Sequence, residues 1–370
     1  MSLSRRLSQP SLIIGISCLL LICGAAIWNL WFVDSLRDTS YHRSQTTWIV
    51  LGLIGAGIIA SVDIHFFRRL SGTLYQVLVV LLMVVLAFGR EINHSRRWIE
   101  LGPVNLQPSE FMKLAMVLVL ADWFDRRRSN TPWGLRQLWL PLAMLLIPVA
   151  LINRQPDLGT SICIALIGGC VILYEGVRRQ TLVGLLLLVV LGVPLAWRFG
   201  AVHTYQKARV QAWLALDEDA VMSRRTARAS QAEQALWAVG SGRWVGRSTT
   251  DARSSVLRHL PFLYTDFVLA SWAELTGLLG SLALFGCFGG LLWWALVVAH
   301  GARERFDALV AVGVAALIFW QFFINAGMVI GLLPVVGMTL PLMSYGGSSV
   351  LTVLLGCGFV LNIALRRNAR

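Results

Sequence analysis

Apolar runs, each near the length of a bilayer core, alternate along the chain with short polar segments. A helix needs about twenty apolar residues to cross a bilayer, with a range of roughly 17 to 25. Such runs lie at 12–33, 46–62, 73–89, 109–124, 138–152, 158–174, 181–197, 276–298, 307–327 and 348–365. They predict an all-α membrane protein of about ten transmembrane helices. The fourth run is the irregular one, because Glu110 and Lys113 interrupt it. The first run follows Arg5 and Arg6, is too long for a signal-peptide core and lacks a small-residue cleavage site, so it reads as a spanning helix.

Basic residues in the short loops set the orientation. With a cytoplasmic N-terminus, the inner segments collect Arg68, Arg69, Arg126, Arg127, Arg128, Arg136, Arg178, Arg179, Arg303, Arg305, Arg366 and Arg367, among others. The short outer loops hold only Arg37, Arg43, Arg90, Arg96, Arg97 and Arg154. Both termini are therefore expected on the cytoplasmic side. One segment breaks the rhythm: residues 198–264 cannot span, and by count they form a large extracytoplasmic loop between helices 7 and 8. Long loops escape the positive-inside rule, so the basic residues of this one leave the topology unchanged. Within it, Tyr205–Leu216 and Ala227–Val239 mix apolar and charged residues at helical spacing, as short helices lying on the membrane surface do. The chain thus reads as a single polytopic domain, 1–370. The absence of an internal repeat argues against a transporter built from inverted repeats.

Composition agrees. Hydrophobic residues make up 56% of the chain and charged residues 14%, with a mean hydropathy of +0.68. A soluble domain carries roughly 25% charged residues, so lipid must cover much of this surface. The net charge of +13 reads as basic loops facing anionic head groups rather than as a nucleic-acid site, since no aromatic-plus-basic RNA motif accompanies it. Cys18, Cys23, Cys163, Cys170, Cys287 and Cys357 all lie inside apolar runs, without histidines at metal-ligand spacing. Neither a disulfide framework nor a metal centre is indicated.

Charged residues inside spans usually mark function. Glu110 and Lys113, three apart, share a helix face and can pair. Two readings stay open: a structural ion pair, or a lysine in an outward cavity that meets an anion. Arg97, in Arg96-Arg97-Trp98-Ile99, is either an interfacial anchor or a partner for phosphate oxygens. Asp157, in the short loop Asn153 to Thr160, sits at the mouth of the bundle or caps the next helix. Asp266 stands where the chain re-enters the membrane, with Glu274 about two turns further on. A partly desolvated carboxylate there can act as a general base, and a helix cap is the alternative. The run Asn325 to Ser349 is dense in Gly and Pro, which requires irregular backbone buried in protein or lining a wet cavity. Ser344 lies within it, and Gly346-Gly347-Ser348-Ser349 offers backbone N–H groups at a helix start, an anion site by chemistry.

Together these segments resemble the SEDS family (shape, elongation, division and sporulation), particularly its RodA branch. The matching stretches are Arg97-Trp98-Ile99, Gln107-Pro108-Ser109-Glu110 with Lys113, and Gln155 to Thr160. To these add Gln234 with Gly240-Ser241-Gly242, Leu260-Pro261, Thr265-Asp266-Phe267, Ala273-Glu274 and the run Asn325 to Ser349, all in the family's order. The resemblance implies a peptidoglycan glycosyltransferase that polymerises glycan strands from lipid II, in cell elongation, at the bacterial cytoplasmic membrane. It implies Asp266 as the catalytic residue and a class B penicillin-binding protein as partner. Arg97, Glu110, Lys113, Asp157, Glu274, Ser344 and Ser348 are the expected substrate-binding residues. Rival readings are a lipid II flippase and a scaffold for a penicillin-binding protein. No cofactor is fixed; a divalent cation, magnesium or manganese, stays open.

The chain departs from the family in the long loop. Ser248-Thr249-Thr250-Asp251-Ala252 replaces a Gly-Thr-Gln-Ser stretch. Phe262 stands at the position of an acid, Tyr264 at that of a histidine, and Leu275 at that of a second acid. These changes put the rate, metal dependence and partner choice of this copy in question.

Overall fold

The computed structural model describes residues 10–37, 39–92, 95–101, 104–127, 129, 131–198, 204–214, 231–247, 260 and 262–366. The helices are α1 Pro10–Arg37, α2 Tyr41–Ser61, α3 Ile64–Phe88, α4 Pro108–Arg126, α5 Leu135–Arg154, α6 Leu158–Tyr174, α7 Arg179–Arg198, α8 Thr204–Leu214, α9 Gln231–Ser241, α10 Val268–His300, α11 Arg305–Val329 and α12 Gly347–Arg366. Between α3 and α4 lies a small antiparallel meander of β1 Arg90–Ile92, β2 Ser95–Leu101 and β3 Val104–Leu106. The all-α expectation holds for the membrane body. The sheet was read only as an outer loop, because its strands are too short to show a clear alternation.

Seven helices, α1, α2, α3, α5, α10, α11 and α12, are long and apolar enough to cross a membrane. Helices α6 and α7 are shorter apolar ones. Helix α4 carries Glu110, Lys113, Asp122, Asp125 and Arg126, and it is enclosed nearly all round. It packs against α3, α6, α11 and α12, so protein rather than lipid surrounds Glu110, Lys113, Asp122 and Asp125, while Arg126 at its end is exposed. Helix α7 is the opposite case. Leu186, Leu187, Leu188, Val189, Val190 and Leu191 are all exposed, as on a lipid-facing helix.

The expected short helix over 205–216 is α8. The one over 227–239 starts later, as α9, and residues 227–230 lie outside the described residues, as does Ser248-Thr249-Thr250-Asp251-Ala252. Helix α9 is docked rather than free: it buries Ala235 and Ala238 and packs on α10.

Helix α10 begins at Val268, before the predicted 276, and is broken at Gly277, with φ 68° and ψ −164°. The turn after α9 fills the break. Leu278 N–H donates to the Arg243 carbonyl (2.8 Å) and Leu279 N–H to that of Trp244 (3.0 Å), so amides freed by the kink are satisfied. A Cβ on Gly277 would lie 2.4 Å from the Gly246 nitrogen, and one on Gly242 would lie 2.0 Å from the Ala273 carbonyl oxygen. That close approach accounts for Gly242 of the Gly240-Ser241-Gly242 motif.

The two ends of the bundle differ chemically. At one end Arg68 pairs with Asp122 and Asp125, Arg305 with Glu175, and Arg366 with Asp63. The opposite end gathers the loops around Asp266.

Candidate active site

Asp266 lies in the turn 262–267 just before α10, outside the spanning helix. Its N–H donates to the Phe262 carbonyl at 3.0 Å. The Gly/Pro-rich run after α11 holds this turn from the far side. Asn325 Nδ2 donates to the Asp266 carbonyl (2.9 Å) and to that of Met338 (2.6 Å). Ser344 Oγ donates to the Thr265 carbonyl (2.5 Å) and accepts from Leu340 N–H (2.8 Å). Tyr345 N–H donates to the Tyr264 carbonyl at 2.8 Å. The buried Gln45 of α2 fixes the run in turn, with Nε2 at 3.0 Å from the carbonyls of both Leu342 and Ser344. Irregular backbone survives here because side chains satisfy its polar groups.

Gly337 explains one glycine of that run. Its φ is +73°, and a Cβ built there would sit 3.4 Å from Asp266 Oδ2. The carboxylate therefore leans on a residue with no side chain. Burial pushes the Asp266 carboxyl up from 3.8 to about 6. A hydrogen bond from the Thr265 hydroxyl and the Arg209 guanidinium oppose the rise, the Asp157 charge adds to it, and Arg97 again opposes it. A carboxylate of this kind is ionised at neutral pH yet basic enough to take a proton.

Arg97 and Asp157 form the neighbouring wall. Arg97 Nε donates to the Gln155 carbonyl (3.1 Å) and Nη2 to that of Pro156, while Nη1 stands 3.7 Å from Asp157 Oδ1. Asp157 also caps α6 through Thr160 N–H at 3.2 Å. The cap alternative and the mouth-of-bundle alternative are thus both realised. Gln107 joins three helix starts: its Nε2 reaches Asp157 Oδ2 (3.1 Å) and Ser109 Oγ (3.0 Å), and its N–H donates to Ser348 Oγ (3.0 Å).

Three expected positions are placed differently. Lys113 does not line an open cavity. It is fully buried, and its ammonium lies 2.8 Å from both oxygens of Glu110. Desolvation leaves the pair no stable alternative to each other. The start of α12 is not an open anion site either: Ser348 is taken by Gln107, Ser349 by the Thr339 hydroxyl (3.0 Å), and Gly347 lies against the Trp48 ring. Glu274 points toward the α9–α10 turn, where Oε1 is 3.9 Å from Arg247 Nη1.

The sequence reading missed several participants. Arg209 of α8 reaches the field of Asp266, and Trp213 on the same helix docks it by an Nε1 bond to the Gly331 carbonyl (2.8 Å). Trp213 was the available signal, an aromatic one turn from a basic residue. Tyr264, where the family has histidine, stacks on Tyr41 at 4.3 Å, and Tyr41 packs on Tyr345 at 4.8 Å. Tyr264 thus sits in an aromatic cluster drawn from the start of α2, the turn before α10 and the segment before α12. Phe262, at the position of the family's acid, has φ +55° and an exposed ring. Gln321 of α11 is fully buried with neither amide atom hydrogen-bonded.

Among the described residues, no group of three or more His, Cys, Asp or Glu side chains converges as a metal cage would. Asp157 is committed to Thr160, Arg97 and Gln107.

Comparison with known proteins places these features in context. The family described as "Cell cycle protein" (FTSW_RODA_SPOVE) matches residues 10–369. The peptidoglycan glycosyltransferase MrdB of Escherichia coli K12 is 32% identical over 359 residues, covering 97% of this chain and 94% of that protein. Stage V sporulation protein E of Bacillus subtilis is 33% identical over 376 residues, covering 98% of each. Among solved structures, a chain from a peptidoglycan synthase complex, studied for the coordination of polymerization and crosslinking, superposes with a TM-score of 0.79 at 30% identity, covering 96% of this chain and 98% of its own. The rod shape determining protein RodA of Thermus thermophilus gives 0.69 at 28% identity, covering 95% and 96%.

Proposed function

The chain belongs to the FtsW/RodA/SpoVE family of cell cycle proteins, and on that premise we propose that it is a peptidoglycan glycosyltransferase of the cytoplasmic membrane that polymerises glycan strands from lipid II. The relatives named as peptidoglycan glycosyltransferases support the activity. The observation that carries the assignment of the site is the Asp266 carboxylate, raised to about 6 by burial and flanked by two arginines.

Glycosyl transfer from a lipid pyrophosphate needs a base for the acceptor hydroxyl and positive charge for the departing pyrophosphate. Asp266 takes the proton. Arg97 and Arg209 supply the charge. Lys113 and Glu110 hold the core of the bundle beneath, and Asn325, Ser344 and Gln107 hold the loops. The crosslinking partner is, on this reading, a class B penicillin-binding protein. The relative solved as a synthase complex supports a partnership of that kind.

The test is polymerisation of purified lipid II by the protein in proteoliposomes, with and without a candidate partner and with magnesium or manganese. Polymer from the native protein and none from Asp266→Ala is the expected result. Lipid II crossing the bilayer without polymer, unaffected by Asp266→Ala, returns the flippase reading.

A further inference from the structure

Far from Asp266, at the arginine-rich end of the bundle, α3, α4 and α5 leave a cavity of about 440 Å³. Arg69, Gly72, Thr73 and Gln76 of α3 line it at helical spacing, one face of the helix. Asp122, Trp123, Arg126 and Arg127 close its floor at the end of α4. A Cβ on Gly72 would meet nothing within 4 Å, so the wall is open there.

The charge in this cavity is unbalanced. Its one lining carboxylate, Asp122, is shared by Arg68 Nε (3.2 Å) and Arg126 Nε (2.8 Å). Arg127 lies over the Trp123 ring, 4.8 Å from its centroid. Neither Arg69 nor Arg127 has a carboxylate within ion-pair distance among the described residues. Two guanidinium groups thus face an open cavity at the edge of the bilayer with no carboxylate in direct contact, Arg69 feeling Asp63 only at longer range. Toward the middle of the membrane the polar lining gives way to apolar surface: Val77 and Val80 on α3, and Leu146 and Ile147 on α5, are all exposed. A phosphate at the arginines with acyl chains along that strip satisfies both halves at once. A soluble anion would satisfy only the first.

We propose that this cavity is a binding site for the head group of an anionic diacyl phospholipid, with Arg69 and Arg127 as the phosphate ligands. Arginine suits the role because its fork meets two phosphate oxygens at once. Membrane attraction of this kind is worth enough per arginine that losing two weakens retention by roughly 30-fold.

The experiment is native mass spectrometry of the full-length protein offered equal amounts of phosphatidylglycerol and phosphatidylcholine. The native protein keeps phosphatidylglycerol preferentially, and the Arg69→Gln/Arg127→Gln variant loses that preference by roughly 30-fold. Thr73→Trp, which fills the cavity and leaves the charge intact, loses it as well. Equal retention of both lipids by the native protein, or undiminished preference in either variant, overturns the proposal. Displacement of phosphatidylglycerol by millimolar inorganic phosphate overturns the lipid as occupant in favour of a free anion.

Discussion

Replacing Asp266 with asparagine separates what the carboxylate does for catalysis from what it costs the fold. The side chain keeps its shape, so the turn 262–267 and its bonds from Asn325 and Ser344 to the Asp266 and Thr265 carbonyls remain. What disappears is a charge that burial disfavours. The interval from 3.8 to about 6, at ~1.4 kcal/mol per pH unit, sets a ceiling of ~3 kcal/mol on that cost. The half-buried group keeps some water, so a gain of about 1–2 kcal/mol is expected at neutral pH. The sign follows from linkage. Below the unfolded value both states are protonated and the two proteins are equally stable. As pH rises through about 6 the native fold loses that stability, and the variant does not. Thermal unfolding of both proteins in the same detergent, from pH 4 to 8, reads this directly. The melting temperature of Asp266→Asn should exceed that of the native protein by an amount that grows with pH and levels off above 7, while polymerisation is lost. A difference independent of pH refutes the burial argument; normal polymerisation by Asp266→Asn refutes the base assignment.

Native polymerisation should fall to half its plateau near pH 6 as Asp266 takes a proton, and an acid limb unchanged down to pH 4.5 would remove this group from the rate law. Gly337→Ala forces a Cβ into a left-handed backbone and against Asp266 Oδ2, at a cost of about 1–2 kcal/mol, with activity down at least tenfold in a lipid II assay. Lys113→Met strands the buried Glu110 carboxylate and should cost about 3–5 kcal/mol, seen as a collapse in monodisperse yield. Adding Glu110→Gln to it restores folding and polymerisation if the pair is structural; a folded but inactive double variant would return Lys113 to the substrate.

Much of the membrane body was legible because apolar runs need no partner to be recognised. Seven of the ten runs fell on helices long and apolar enough to cross a membrane, and Arg68, Arg305 and Arg366, expected on the cytoplasmic side, form ion pairs at one end of the bundle. Helix α4 was hardest to place by hydropathy because it is wrapped by other helices and so is free to carry Glu110, Lys113, Asp122 and Asp125. The start of α10 was missed since its first turns, with Trp272 and Glu274, belong to the loop architecture and end at a glycine kink. Asp266 was singled out through the family resemblance and its position at a helix entry. Arg209 was not, because one arginine in a loop that has gained several carries no mark of its own. Ser344 and Ser348 both hydrogen-bond to backbone, Ser344 to the Thr265 carbonyl and Leu340 N–H and Ser348 to Gln107 N–H, partners that sequence spacing does not reveal. The tyrosine cluster of Tyr41, Tyr264 and Tyr345 was invisible because its members lie far apart in the chain, at the start of α2 and in two separate outer segments.

The account rests on Asp266 as the base of a glycan polymerase. Its most direct measurement is the amount of glycan polymer formed from labelled lipid II, at matched protein concentration and verified fold, by the native protein and by Asp266→Ala. The account predicts a ladder of glycan strands from the first and unreacted lipid II from the second. Strands of equal length and yield from both would contradict it.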